Sequence, residues 1–263
     1  MGVPTATLCD PAKRTVNTAA KCGAPDDWYY YSPWRAPGAA PVYDSCGMAA
    51  GHPPPTPKLN FGGIYVNTTH AKVGDKGSEV LPKAPSGTTW SAGNSYEVSW
   101  VIEANHGGGY QYRLAPANGP LNEETFGKMP LPFVGQQILR WGGGPAHGGK
   151  ELRFNGTYVS EGTIPKDSVW ARNPIPRNAI GTQTAYQGQG FEMPPGCAEL
   201  WGAENMTKCQ DMTDGENSVP DMEIVDRVMI PHGTPPGEYV LGWRWDCEES
   251  NQIWQSCSDI TIR

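Results

Sequence analysis

The sequence predicts an all-β fold, an immunoglobulin- or fibronectin-III-like antiparallel β-sandwich with long loops and short helices. Three observations predict it. Apolar and polar residues alternate with period two through residues 96–102, 222–230, 238–246 and 257–262. The 33 glycines and 26 prolines punctuate the chain at short intervals, as short strands joined by long loops require. No segment carries the 3.6-residue apolar repeat of a long amphipathic helix. At 263 residues the chain can bury a full core, and a sandwich of this size is commonly one unit, so residues 1–263 are read as a single domain.

Taken in order, residues 1–60 hold turn formers rather than periodicity. An aromatic knot from Asp27 to Gly38 suits either a binding face or the plug of a core. His52 opens a Pro53-Pro54-Pro55 run that reads as an extended polyproline II spacer. Gly63 to Val66 is the first strand candidate, followed by His70 as a solvated residue between strand and turn, and then by turns at Gly74–Ser78 and Pro85–Gly87. Ser95 to Ile102 is rich in β-branched and aromatic residues and predicts a half-buried strand. It leads to His106, then Gly107-Gly108-Gly109, then a further strand from Tyr110 to Leu114. His106 therefore falls at a strand tip. By itself it is either the solvated residue of a glycine-rich hairpin or a metal ligand beside a bared surface.

Pro130 to Trp141 predicts a strand running into a second glycine cluster, whose His147 is a loop residue. Asn155-Gly156, set between apolar positions, predicts a hairpin over Leu152–Val159. Asn173 to Pro220 is broken by proline and glycine throughout. Met222–Ile230 and Glu238–Asp246, joined through a Pro235-Pro236-Gly237 turn, are read as adjacent strands, and Cys257–Ile262 as the closing one.

Composition sets the compartment and narrows the partners. A net charge of -7 argues against nucleic acid and anionic membrane, both of which are held by basic patches. No apolar run reaches the length of a membrane span, and the opening residues lack the charged and apolar regions of a leader, so a chain with any export signal already removed is expected. Seven cysteines fall at neither zinc spacing nor a nucleophile motif. Disulfides are the reading, and the acceptor triplets at Asn67, Asn155 and Asn205 point with them to a secreted, extracellular glycoprotein. Sequence separation suggests pairing Cys22 with Cys46, Cys197 with Cys209, and Cys247 with Cys257, leaving Cys9 over. A Cys247–Cys257 bridge closing so short a loop is expected to stabilise by about 2 to 3 kcal/mol.

Three blocks carry a family resemblance: Asn105-His106-Gly107-Gly108-Gly109-Tyr110-Gln111-Tyr112-Arg113-Leu114, the run from Trp34 to Met48, and Gly242-Trp243-Arg244-Trp245-Asp246-Cys247-Glu248 through Cys257-Ser258-Asp259. In order and spacing they resemble the lytic polysaccharide monooxygenases, in particular the chitin-binding type-4-like branch found in oomycetes and algae. The resemblance implies a sandwich whose flat face carries one copper ion in a histidine brace, formed by an N-terminal histidine and a second histidine from the core. Nitrogen donors in that arrangement suit copper in both oxidation states and leave room for an oxygen species. His106 matches the core histidine. Met1 stands where the family has the N-terminal histidine, so Met1 and His106 are the implied metal-site residues. Trp254 falls at the axial position, and Arg244 and Gln255 are candidates for orienting a bound oxygen species or are simply polar side chains on a sheet. Tyr110 and Trp34 are candidates for contacting the polymer.

Two functions follow as expectations. One is a secreted copper-dependent monooxygenase acting oxidatively on a polysaccharide such as chitin, cellulose or pectin. The other is a non-catalytic carbohydrate-binding or cell-wall protein on the same scaffold. A monomer is expected in both.

Overall fold

The computed structural model describes residues 33–49, 67–84, 86–102, 106–141, 144–175, 223–248 and 252–263. They form two β-sheets packed face to face, an all-β sandwich. The strands are β1 (Thr89–Trp90), β2 (Ser95–Val101), β3 (Gly109–Pro116), β4 (Gln137–Trp141), β5 (Lys150–Phe154), β6 (Tyr158–Val159), β7 (Trp170–Arg172), β8 (Glu223–Met229), β9 (Gly237–Asp246) and β10 (Ile253–Ile262). A six-stranded sheet has the order β1-β10-β9-β3-β7-β6 and a four-stranded sheet the order β2-β8-β4-β5. Among the described residues helix is confined to two single turns, α1 (Gly77–Val80) and α2 (Glu123–Phe126), and to short 3₁₀ turns. Pairing is antiparallel except at one edge, where β1 runs parallel to β10.

The period-two segments become β2, β8, β9 and β10, because alternation lets one face of each strand enter the core. Trp100 of β2 crosses the gap between the sheets, its ring 4.8 Å from Tyr110, 4.7 Å from Trp243 and 5.2 Å from Trp245. Val98, Leu139, Phe154, Ile224 and Val228 of the smaller sheet meet Tyr112, Leu114, Trp245, Ile260 and Ile262 of the larger in the same cluster. Each large aromatic buried there contributes roughly 1.5 to 3 kcal/mol of transfer free energy.

The larger sheet is also covered on its outer side. Residues 33–49, α2 and the loop before β7 lie against it, so β3 is buried on both faces from Gly109 to Ala115. Ala115, Phe126 and Val240 form a satellite core in this third layer. A Cβ on Gly242 would come within 2.7 Å of the Phe126 ring, so glycine there lets α2 approach the sheet.

Three sequence expectations are corrected. Leu152–Val159 is not a hairpin, because β5 pairs with β4 while β6 pairs with β7 in the other sheet. Asn155-Gly156 is the crossing between sheets, where Gly156 lies against the Gln137 side chain. The predicted strand from Pro130 begins only at Gln137; before it the chain passes between sheets, touching Arg113 at Pro130 and Val228 at Phe133. Prolines at 130 and 132 cannot donate to a ladder.

The third correction concerns disulfides. Cys257 is bonded to Cys46, a bridge spanning 211 residues of sequence, which rules out both the Cys247–Cys257 and the Cys22–Cys46 pairings. The expected excursion between strands is shorter than it looked, because β10 starts at Ile253 and places Cys257 opposite Gly242. Cys247, five residues beyond Gly242 along the chain, is therefore about 16 Å away by strand rise, well past the reach of a disulfide. The Cys197–Cys209 pairing and the Gly63–Val66 strand lie outside the described residues.

Candidate functional site

The glycine stretch opens β3 at one end of the sandwich and holds His106 there, half-buried. Gly107 and Gly108 both have positive φ, 62° and 77°, and a Cβ on Gly108 would sit 2.0 Å from the Asp246 carbonyl oxygen. Glycine is required by conformation and by space. The stretch is pinned from β9: the Trp245 indole N–H donates to the Gly107 carbonyl at 2.7 Å, and the Glu248 amide donates to the His106 carbonyl at 3.0 Å. The imidazole lies 6.2 Å from the Trp245 ring at a shallow 26°. Beside it Arg172 pairs with Glu248 at 3.0 Å, and the Gly108 amide donates to the same carboxylate oxygen at 3.4 Å. Burial pushes the Glu248 carboxyl up, against the opposing pull of Arg172 and the amide.

Sheet parity sorts the other candidates. Trp254 is opposite Trp245 and Gln255 is opposite Arg244. Trp254 thus shares the interior face with Trp245, the ring against which His106 lies, and is half-buried with its indole N–H donating to Gln252 at 3.1 Å. Arg244 and Gln255 point to the opposite face. Tyr110 and Trp34 are not on an open face: Tyr110 is 0% exposed in the core and Trp34 is 9% exposed, its ring packed over Gly109 and beneath Arg172. The expectation that these two rings contact a polymer is corrected by that burial. Met1 lies outside the described residues. Among the described residues no group of three or more metal-ligating side chains gathers.

Arg244 and Gln255 instead converge on a residue that sequence reading missed, Glu123 of α2. Its carboxylate accepts from Arg113 at 2.6 and 3.1 Å, Arg244 at 2.6 Å, Gln255 at 2.9 Å and the Ser45 hydroxyl at 2.6 Å. Arg244 also forms a two-point pair with Asp246 at 2.7 and 3.2 Å and donates to the Ala40 carbonyl at 2.9 Å. Burial by itself would raise the Glu123 pKa, but Arg244 and Arg113 outweigh it and hold the carboxyl well below the usual range. Its stabilising effect is therefore full above the ordinary carboxylate pKa and is lost only in strong acid. Two positive and two negative groups balance beneath the covering layer. This is a fastening of α2 and residues 33–49 to the sheet; the nearest sequence signal was Asn122 preceding Glu123-Glu124, a helix-start pattern.

A second buried polar group lies between the sheets. Asp226, 2% exposed, accepts from the Tyr110 hydroxyl at 2.6 Å and from Gln137 at 2.9 Å. Burial pushes its carboxyl up to about 6, from an ordinary value of 3.8, although both hydrogen bonds oppose the change. Between those two values the folded chain holds a proton that the unfolded chain has lost, so stability falls as pH rises from about 4 to about 6 and then levels off. Asp226→Asn should remove this component. The expected result is a variant whose stability relative to wild type improves by about 2 to 3 kcal/mol between pH 4 and pH 7. Urea unfolding at the two pH values measures it, and an unchanged difference would show that Asp226 titrates normally.

No family model and no curated protein matches the chain. Among solved structures it matches a family 123 glycoside hydrolase from Clostridium perfringens, described for glycolipid glycan hydrolysis, at 8% identity and a TM-score of 0.23. That match covers 67% of this chain and 23% of the hydrolase.

Proposed function

We propose that this chain is a secreted copper-dependent monooxygenase-like protein that acts oxidatively on a polysaccharide. The observation that carries the reading is the setting of His106: a half-buried imidazole at the end of the sandwich, on a glycine stretch pinned by Trp245 and Glu248. The sequence blocks that resemble the monooxygenases meet there, since the Gly107–Gly109 run, Trp34 and the end of β9 are in contact. On this reading the sandwich is of the immunoglobulin-like type, and His106 would supply one imidazole to a copper ion. Bound copper would supply the oxygen activation. Trp245 orients the His106 segment through its indole hydrogen bond, and Trp254, on the same face, limits access of water from the core side. Chitin, cellulose and pectin are the polymer classes that suit it, and the protein acts as a monomer.

One observation favours a second reading, a non-catalytic carbohydrate-binding or cell-wall protein on the same scaffold. Arg244 and Gln255, the groups that would orient a bound oxygen species, are committed to Glu123 on the opposite face. Copper titration by calorimetry separates the two. The chain beginning with Met1 should bind Cu(II) weakly, Met1→His with a free amino terminus should bind at least about a hundredfold more tightly as a full set of nitrogen donors forms, and His106→Ala should bind no copper. Equal affinities in all three would place the metal site elsewhere and leave the non-catalytic reading.

A further inference from the structure

The link between the two sheets at 155–157 has a residue pattern that the fold accounts for only in part. Asn-Gly in a sequence is ordinarily a tight turn with positive φ. Here neither Asn155 nor Gly156 takes positive φ, and the chain makes no hydrogen-bonded turn between β5 and β6. Gly156 is explained by space, since a Cβ there would meet the Gln137 Oε1 atom at 2.4 Å. Thr157 accepts the Arg172 amide through its backbone carbonyl at 2.8 Å, and the residue is exposed. Asn155 is exposed too, and the hydrogen bond its side chain accepts from Gln136 measures 3.5 Å, at the outer limit of such a contact.

The triplet at Asn67 differs. Asn67 is exposed as well, but its side-chain carbonyl accepts the Val73 amide at 3.2 Å and so helps to shape the loop between those residues. At 155–157 there remains an asparagine followed two residues on by a threonine, both exposed and neither side chain called for by the fold, which is the acceptor pattern for an N-linked oligosaccharide. Its place is also particular. β5 is the last strand of the smaller sheet and β6 the last of the larger, and no strand among the described residues pairs with their outer sides. Two free edges are thus joined by one link, with Tyr158 of β6 38% exposed beside it. Unpaired N–H and C=O groups along an edge are a template for pairing with another chain unless something covers them.

We propose that Asn155 is an N-glycosylation site and that its glycan covers the joined edges of β5 and β6, keeping a second copy of the chain from pairing there. In the transfer, Nδ2 of Asn155 bonds to the anomeric carbon of the first sugar and gives up one proton. The lipid diphosphate that carried the oligosaccharide leaves with the electron pair of the broken bond. The Thr157 hydroxyl completes the acceptor. Modification at Asn155 rests on the secreted part of the proposed function and needs none of its copper chemistry.

The test uses the full chain, given a cleavable secretory leader and produced in yeast. Treatment with peptide-N-glycosidase F in oxygen-18 water turns a glycan-bearing asparagine into a heavy-labelled aspartate, which peptide mass mapping detects. The peptide holding Asn155 should be labelled in wild type and should lose the label in Thr157→Ala, which keeps the asparagine. Made in bacteria, where no such glycan is added, Asn155→Gln and Thr157→Ala should unfold at the wild-type denaturant midpoint, because neither side chain supports the fold. In light scattering the glycosylated wild type should stay monomeric at concentrations where Asn155→Gln, secreted by the same cells, associates. The leader carries the chain to the transferase whether or not the natural protein is secreted, so an unlabelled Asn155 overturns this assignment without touching the secreted reading. A lowered midpoint in the bacterial variants would mean that the fold itself requires the triplet, and Asn155→Gln as monomeric as wild type would overturn the covering role.

Discussion

Arg244→Ala should unfold with a stability loss of about 3 to 5 kcal/mol, the cost of removing one partner from a buried ion pair. Arg244 is fully buried, and its guanidinium holds Asp246, itself 0% exposed, Glu123 and the Ala40 carbonyl together under the Trp170 ring. Without it Asp246 keeps the Gly38 amide at 2.7 Å but loses its counter-charge. Against a typical total stability of about 5 to 15 kcal/mol that loss is severe. Arg244→Lys keeps the charge but not the planar fork, so an intermediate loss is expected. The double variant Arg244→Met with Asp246→Asn, which removes both charges, should recover part of the deficit. Chemical denaturation of the three variants measures these terms. If Arg244→Lys changed copper affinity while stability stayed at the wild-type level, the fastening role would be wrong and a role toward the metal would be restored.

Removing the Cys46–Cys257 bridge should have the second large effect. The chain-entropy estimate for so long a loop lies at the upper end of the usual range of about 2 to 5 kcal/mol. The bridge ties residues 33–49 to β10 immediately beside the Glu123 cluster, where Ser45 donates to Glu123 and the Cys46 amide donates to Asp44 at 2.9 Å. Ser78 donates to the same Asp44 from α1, so the bridge also secures that turn. The Cys46→Ala/Cys257→Ala variant should show a lower denaturant midpoint with the two sheets intact, since neither cysteine belongs to the core between them. Equal midpoints for the bridged and unbridged proteins would mean that the covering layer is held by the ion pairs alone.

These two predictions concern one object, a covering layer over the outer face of the larger sheet. Beside the small apolar cluster of Ala115, Phe126 and Val240, its fastenings are electrostatic and covalent, and the residues that make them scatter along the sequence as ordinary polar positions. The ion pairs are stable there because the layer excludes water, and the same exclusion makes a missing partner costly.

The sequence by itself determined the fold class, the positions of β2, β3, β8 and β9, and the strand-tip placement of His106. Each rests on local physics: period-two alternation buries one face of a strand, and a glycine run allows the positive φ that turns the chain before β3. The tertiary structure alone decided which face each candidate takes and what covers it. Tyr110 reads as an amphipathic ring fit for a surface, yet pairing opposite Trp245 carries it into the core, where Asp226 accepts its hydroxyl hydrogen bond. Arg244 and Gln255 share a cross-strand pair, and one step of the two-residue period separates them from the face of Trp254. Glu123 and Cys46 join them from far along the chain. Burial of a polar group depends on what packs over it, and contacts between residues 100 or 200 positions apart leave no local pattern to read.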